Sequence, residues 1–414
     1  MRRLALAIAL LLSCTTAPPV TLPSPSATVT PAPTATPIPT ASPSPRPLDM
    51  AVVPAGEIRD DHALVVQGSL QPGGEVGALR FWDVPLDGTA PKQLVSYNQG
   101  ARILTDFDYF DFARQLSPDG RHLVLSDPVD IAGTGLLVVD LIAGTTRKID
   151  ISGGTGQPAW SPDGQQIAYR GFTVAGPFQK ETGIWVVPAA GAGPRQVWAS
   201  DRPAGAGATY VYGWTEDGTG IALSRDSTDV SVVDVPTGNL TRIAGGIHGI
   251  AWRAKRPSTA IVLDDDVSTP SPSGPRGAPS SIGRAGHVEV RDTTLAAARI
   301  VTRYGDVGTV LYGPRWNPTT DEILTFWACG AGATERDELV VVDGLSARRR
   351  AVPTSGCVYS ASWNGDGTRI LYSDIQSLRV MSSDGSNDRE LWRPGLPPGA
   401  FQQNIGAVTA FAPR

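Results

Sequence analysis

The side chains able to do chemistry are few and unevenly placed. Three carboxylates alternate with rings in Asp106-Phe107-Asp108-Tyr109-Phe110-Asp111, and Phe112 follows. Carboxylates beside aromatic rings could hold a cation, an amine or a sugar. The plainer reading is a solvated loop, because acidic side chains mostly stay exposed. No EF-type spacing accompanies them, so no calcium shell can be assigned. Cys14, Cys329 and Cys357 form no CxxC, and the four histidines supply no HExxH or zinc-spaced cluster. Neither a metal nor a cofactor is therefore expected. There is no G-x-S-x-G turn either. A glycosidase needs two carboxylates across a cleft, and Asp106, Asp108 or Asp111 offers at most a starting point for one.

The elements that would position these residues repeat along the chain. Trp160-Ser161-Pro162-Asp163-Gly164 is a tight turn: Pro presets φ, Asp bonds its own backbone and Gly accepts a positive φ. The alternation of Ile167 and Tyr169 with smaller or polar residues predicts a strand after it. Equivalent anchors fall at Leu116, Trp214, Trp252, Trp316 and Trp363, with spacings of 44, 54, 38, 64 and 47 residues. Runs such as Ile184-Trp185-Val186-Val187 and Arg195-Gln196-Val197-Trp198 fill the remainder of each unit. About four strands per repeat at this period predict an all-β protein, a β-propeller of four-stranded blades. Six anchors allow six blades. Seven are preferred, because residues 62–95 hold three strand-like runs without an anchor before them. The segment from Ile405 to Phe411 would supply the missing inner strand and close the ring.

The W-S-P-D-G and I-A-Y pattern, with the later Asp384-Gly385-Ser386-Asn387 turn, resembles the WD-like propeller repeats of the TolB family over roughly residues 60–414. The resemblance implies the fold and leaves the ligand open. A spacer stands where that family carries an N-terminal domain.

In a propeller the anchor hairpins lie on one face. The entries to the inner strands and the loops after the second strands lie on the other. Four residues before an anchor is near the channel mouth on that second face, which places Phe112, Tyr210, His248, Tyr312 and Tyr359 there. They could pack between blades, or line a funnel for a small ligand, peptide or glycan. Cys329 and Cys357 should approach the same face, where a disulfide is expected after export, with two free thiols as the alternative. Arg348-Arg349-Arg350 falls on an expected outer strand, and a polar blade edge explains it better than a phosphate patch.

The N-terminus combines Arg2-Arg3, an apolar run from Leu4 to Leu12, and Leu11-Leu12-Ser13-Cys14. This resembles the bacterial lipobox. It implies a signal peptide over 1–13 and a lipid on Cys14, which would hold the protein to a membrane. Residues 14–47 are nearly all Pro, Thr, Ser and Ala and should form an extended, disordered spacer. The propeller is expected over 48–414. The formal charge of −5 gives no basic footprint, so nucleic acid is not an expected partner. The expectation is a monomeric, extracytoplasmic, membrane-anchored scaffold that binds an envelope protein, peptide or glycan. The alternative is a carbohydrate-active enzyme (sugar dehydrogenase, hydrolase or lyase) in the funnel. Binding is preferred, because no catalytic constellation is visible.

Overall fold

The computed structural model describes residues 50–57, 59, 61–70, 76–98, 113–126, 135–175, 178–203, 209–225, 229–245, 247–253, 259–264, 286–292, 298–304, 311–327, 338–355, 358, 360–374, 376–395 and 402–410. They form a seven-bladed β-propeller. Blade 3 shows the plan: antiparallel strands Gly154–Trp160, Gln166–Ala175, Phe178–Pro188 and Arg195–Ala199, ordered from the ring's centre outward. Blades 4 to 7 repeat it, beginning at Tyr210, Ile247, Leu311 and Ser360.

Two blades depart from the plan. Blade 1 is built from both ends of the chain. Gln402–Ala410 pairs with His62–Leu70, which is followed by Val76–Pro85 and Lys92–Asn98. The expected closure is therefore what the ring uses. A fifth strand, Met50–Val52, covers the outer edge by pairing with Val95 to Tyr97, and sequence reasoning did not anticipate it. In blade 2 the described residues of the inner position are a 3-10 turn at Ala113–Gln115 and a bridge from Leu116 to Leu123.

The anchor hairpins repeat closely. In blade 3, Gly164 N donates to Ser161 O at 2.9 Å and takes φ 70°, which a Cβ would strain. Ser161 Oγ and Gln165 N both donate to Asp163 Oδ1, at 2.6 and 3.0 Å. In blade 4, Thr215 Oγ1 and Thr219 N donate to Asp217 in the same way, and in blade 7 both the hydroxyl and the N–H donors to Asp366 come from Thr368. Asp163 closes its turn.

The ring is held by three kinds of contact between neighbouring blades. Apolar clusters fill all seven junctions; Ala159, Ile184 and Val186 of blade 3, for example, meet Val211, Trp214 and Leu223 of blade 4. Inside four junctions the anchor indole donates to the carbonyl just before the preceding blade's anchor. These bonds are Trp160 to Gln115 O, Trp214 to Ala159 O, Trp316 to Ala251 O and Trp363 to Arg315 O, at 2.9 to 3.2 Å. The recurring tryptophan thus satisfies its N–H while locking one inner strand to the next. At the perimeter, arginines early in outer strands reach carbonyls of the next blade: Arg147 to Ala189 O, Arg195 to Val235 O and Arg350 to Ser383 O. Arg389 reaches Leu86 O and so joins blade 7 to blade 1. Arg350 is therefore a blade-edge residue.

Candidate functional site

Inner strands bend where they enter the ring. Five of them carry register shifts, including Gly156/Ala159 in blade 3 and Val211/Gly213 in blade 4. Bulges of this kind re-aim side chains. In blade 3 the bulge contains Gln157, which is buried at φ 49°, an uncommon conformation for a residue with a Cβ. Its Oε1 accepts a 2.7 Å hydrogen bond from Val211 N, so the strained residue ties blade 3 to the entry of blade 4.

Beside it, side chains from non-adjacent blades meet. Arg114, in the turn before the blade 2 anchor, donates from a terminal guanidinium nitrogen to Tyr210 OH of blade 4 at 3.0 Å. Its guanidinium carbon lies 4.9 Å from the centroid of the Tyr210 ring. Blade 3 separates those two blades, so such a contact is possible only near the ring's centre. Gly213 runs alongside: a Cβ built there would meet Arg114 Cβ at 4.0 Å, an ordinary contact, and its φ of 133° is what favours glycine. Tyr212 stands edge-on to Tyr210, with centroids 4.9 Å apart.

The rim is built by the long hairpin of blade 3, whose two strands have 10 and 11 residues. From it, Glu181 accepts Thr209 N and Thr209 Oγ1 at 2.8 and 2.6 Å. Arg170, opposite Gly156, donates to Thr209 O at 3.2 Å and lies over the Phe172 ring. Farther out, the guanidinium of Arg225 lies 5.6 Å from the Trp198 ring centroid and pairs with Asp201. The arrangement brings aromatic rings, guanidinium groups and amide backbone together where blades 2, 3 and 4 enter the ring. That chemistry suits sugars and peptides.

Of the residues singled out from sequence, Tyr210 is in this group. His248 lies near the bulge of Ile247–Trp252, and Tyr312 is opposite Phe326 in Leu311–Trp316. Asp106, Asp108, Tyr109, Asp111, Phe112, Tyr359, Cys14, Cys329 and Cys357 lie outside the described residues. Arg114, Gln157, Arg170, Thr209 and Glu181 escaped sequence reasoning. Arg170 left a usable signal, because ten residues after the anchor other repeats carry Ser126, Ser224 and Ser373. Gln157 left none.

A second polar cluster joins blades 6 and 7 farther from the centre. Tyr372 OH donates to Asp388 at 2.8 to 2.9 Å and accepts from Arg379 Nε at 2.9 Å, while Ser355 Oγ donates to Asp388 Oδ2 at 2.5 Å. Burial foremost raises the Tyr372 pKa. Every member is satisfied by another, as in a brace between blades.

No family model matches the chain, and no curated protein matches it. Solved structures of similar architecture include an oligogalacturonate lyase in complex with manganese, at 13% identity, 84% of this chain, 89% of that chain and TM-score 0.49. TolB from Acinetobacter baumannii matches at 15% identity over 84% of this chain and 82% of that one, with TM-score 0.42. A putative TolB from Agrobacterium tumefaciens matches at 14% identity over 84% and 97%, with TM-score 0.39. These identities and scores concern chain architecture, and no function is drawn from them.

Proposed function

We propose that the protein is a binding scaffold, held to a bacterial membrane from the outside through a lipid on Cys14, whose ligand is a peptide, glycan or envelope protein taken at the entry-face mouth. The supporting observation is that three successive blades are tied together at their entries, Arg114 of blade 2 to Tyr210 of blade 4 and Gln157 of blade 3 to Val211 N beside it. A framework needs no such convergence, since its blades are already joined by the apolar clusters and the indole bonds. The sequence supports the tether: a basic start, an apolar run and Cys14, then a proline-dense spacer. Among the described residues no helix is long and apolar enough to cross a membrane. The domain acts as a monomer in this reading.

Arrayed glycans and envelope peptides probed with the full-length chain provide the test. The expected result is a ligand whose retention falls at least tenfold in Tyr210→Ala while the melting temperature stays close to wild type. Undiminished retention in that variant contradicts the site. Cys14→Ala should release the protein from membranes, and continued attachment contradicts the lipid tether.

A further inference from the structure

On the opposite face, at the hairpin end of blade 7, lies a cleft of about 180 Å³. It is lined by Arg369, Val380, Met381, Ser382, Asn387 and Arg389. Register explains why the polar groups converge. Arg369 pairs with Ser382, and Val380, two residues before Ser382, pairs with Arg389. Directly opposed residues project to the same side of a sheet, so both guanidinium groups rise from one face of blade 7. That face packs Val380 against Ala63, Val65, Val84 and Leu86 of blade 1.

Blades 2, 4 and 6 use the corresponding position differently. Where blade 7 has Ser382, blades 2, 4 and 6 have Asp140, Asp234 and Asp343 at the end of the third strand, each bonding the turn that follows. In blade 7 the longer turn transfers that task to Asp384, which accepts Ser386 N and Ser386 Oγ. Ser382 is released, and no carboxylate lines the cleft. Asn387, at φ 58°, donates to Ser382 Oγ at 3.1 Å. A hydroxyl that accepts this bond keeps its own proton to donate. Arg389 already spans to Leu86 O. Among the described residues the Arg369 side chain makes no hydrogen bond or close ion pair, and its charge acts at longer range on the turn carboxylate Asp366. The cleft therefore presents two guanidinium groups and a hydroxyl donor above an apolar floor.

We propose that this cleft binds a single oxyanion group: a phosphate, sulfate or carboxylate held between Arg369 and Arg389, with Ser382 as the neutral donor. Charge-assisted bonds from guanidinium to such oxygens are strong and geometrically selective. The site is independent of the entry-face mouth and lies on the other side of the ring.

Titration of the ¹⁵N-labelled full-length chain with inorganic phosphate, and separately with acetate, at constant ionic strength tests it. The expected result is a saturable shift of the Ser382 and Asn387 amide signals with at least one of the two anions. Phosphate alone identifies a tetrahedral group, and acetate identifies a planar one. Arg369→Gln should weaken the response about tenfold, the loss of one charge-assisted hydrogen bond. Arg369→Lys should retain part of it, and Tyr210→Ala should leave it unchanged. Because the bonds of Arg369 to Asn364 are made by its backbone and survive the change, Arg369→Gln should melt close to wild type at neutral pH. No saturable shift with either anion, or equal curves for wild type and Arg369→Gln, overturns the proposal.

Discussion

The two faces of the ring put similar residues to opposite uses. On the hairpin face, Asp163, Asp217 and Asp366 each close a turn by accepting a backbone N–H two residues on. The same geometry returns blade after blade. On the entry face, Arg114, Gln157, Arg170 and Glu181 each reach into another blade by a contact not repeated among the described residues. Repetition marks the framework, because every blade must solve the same folding problem. Departure from the repeat marks where the protein differs from a bare ring.

Substitutions should separate the two classes. The largest effect is expected from Trp214→Ala. It removes a buried indole, its packing against blade 3 and its bond to Ala159 O, and should cost about 3–5 kcal/mol in denaturant unfolding. Gln157→Ala leaves Val211 N–H buried without its partner and should cost about 1–3 kcal/mol. Ligand retention should fall with it, because the blade 4 entry loses its support. Arg389→Met breaks the perimeter contact at the ring's closing junction and should cost about 1 kcal/mol by the same assay. If Tyr210→Ala destabilised the ring as much as Trp214→Ala, the entry-face cluster would be framework and the contrast between faces would fail.

The smallest effect is a matter of pH. Hydrogen bonding from Ser161 Oγ, then from Gln165 N, outweighs burial and holds the Asp163 carboxyl below its ordinary value. For Asp366, burial pushes upward, but the bonds from Thr368 prevail and its pKa is lowered too. A carboxyl with a folded pKa below its unfolded one gives stability that is full above the unfolded value. That stability is lost as pH falls through the folded value, where the unfolded chain has bound more protons. Asp163→Asn should therefore flatten the acid limb of melting temperature against pH, while leaving the slope above neutrality unchanged. An unaltered acid limb would show that the turn carboxylates are not what acid titrates.

The blade plan was legible because its signals are local. Proline, aspartate and glycine stand in one turn, an aromatic precedes it and an alternating strand follows. Ring closure was legible from an imbalance, three strands without an inner one at one end and an inner strand without a blade at the other. The site was mostly illegible for a physical reason. Arg114, Gln157 and Tyr210 lie two, three and four residues before three different anchors, so no single spacing relates them. Tyr210 was reachable because the register placed it at the mouth. Gln157 owes its role to a bulge that nothing in its neighbours announces. The strand Met50–Val52 was missed because three residues beside a proline-dense stretch give no period to read.

The most direct test of the entry face as the working face is photo-crosslinking in cells. A benzophenone side chain would replace Tyr210 in one version and Leu345, exposed in a turn on the hairpin face, in another. The expected result is an adduct from position 210 that disappears when Arg114→Ala is added, and none from position 345. Adducts from position 345 alone, or from both positions equally, would contradict it.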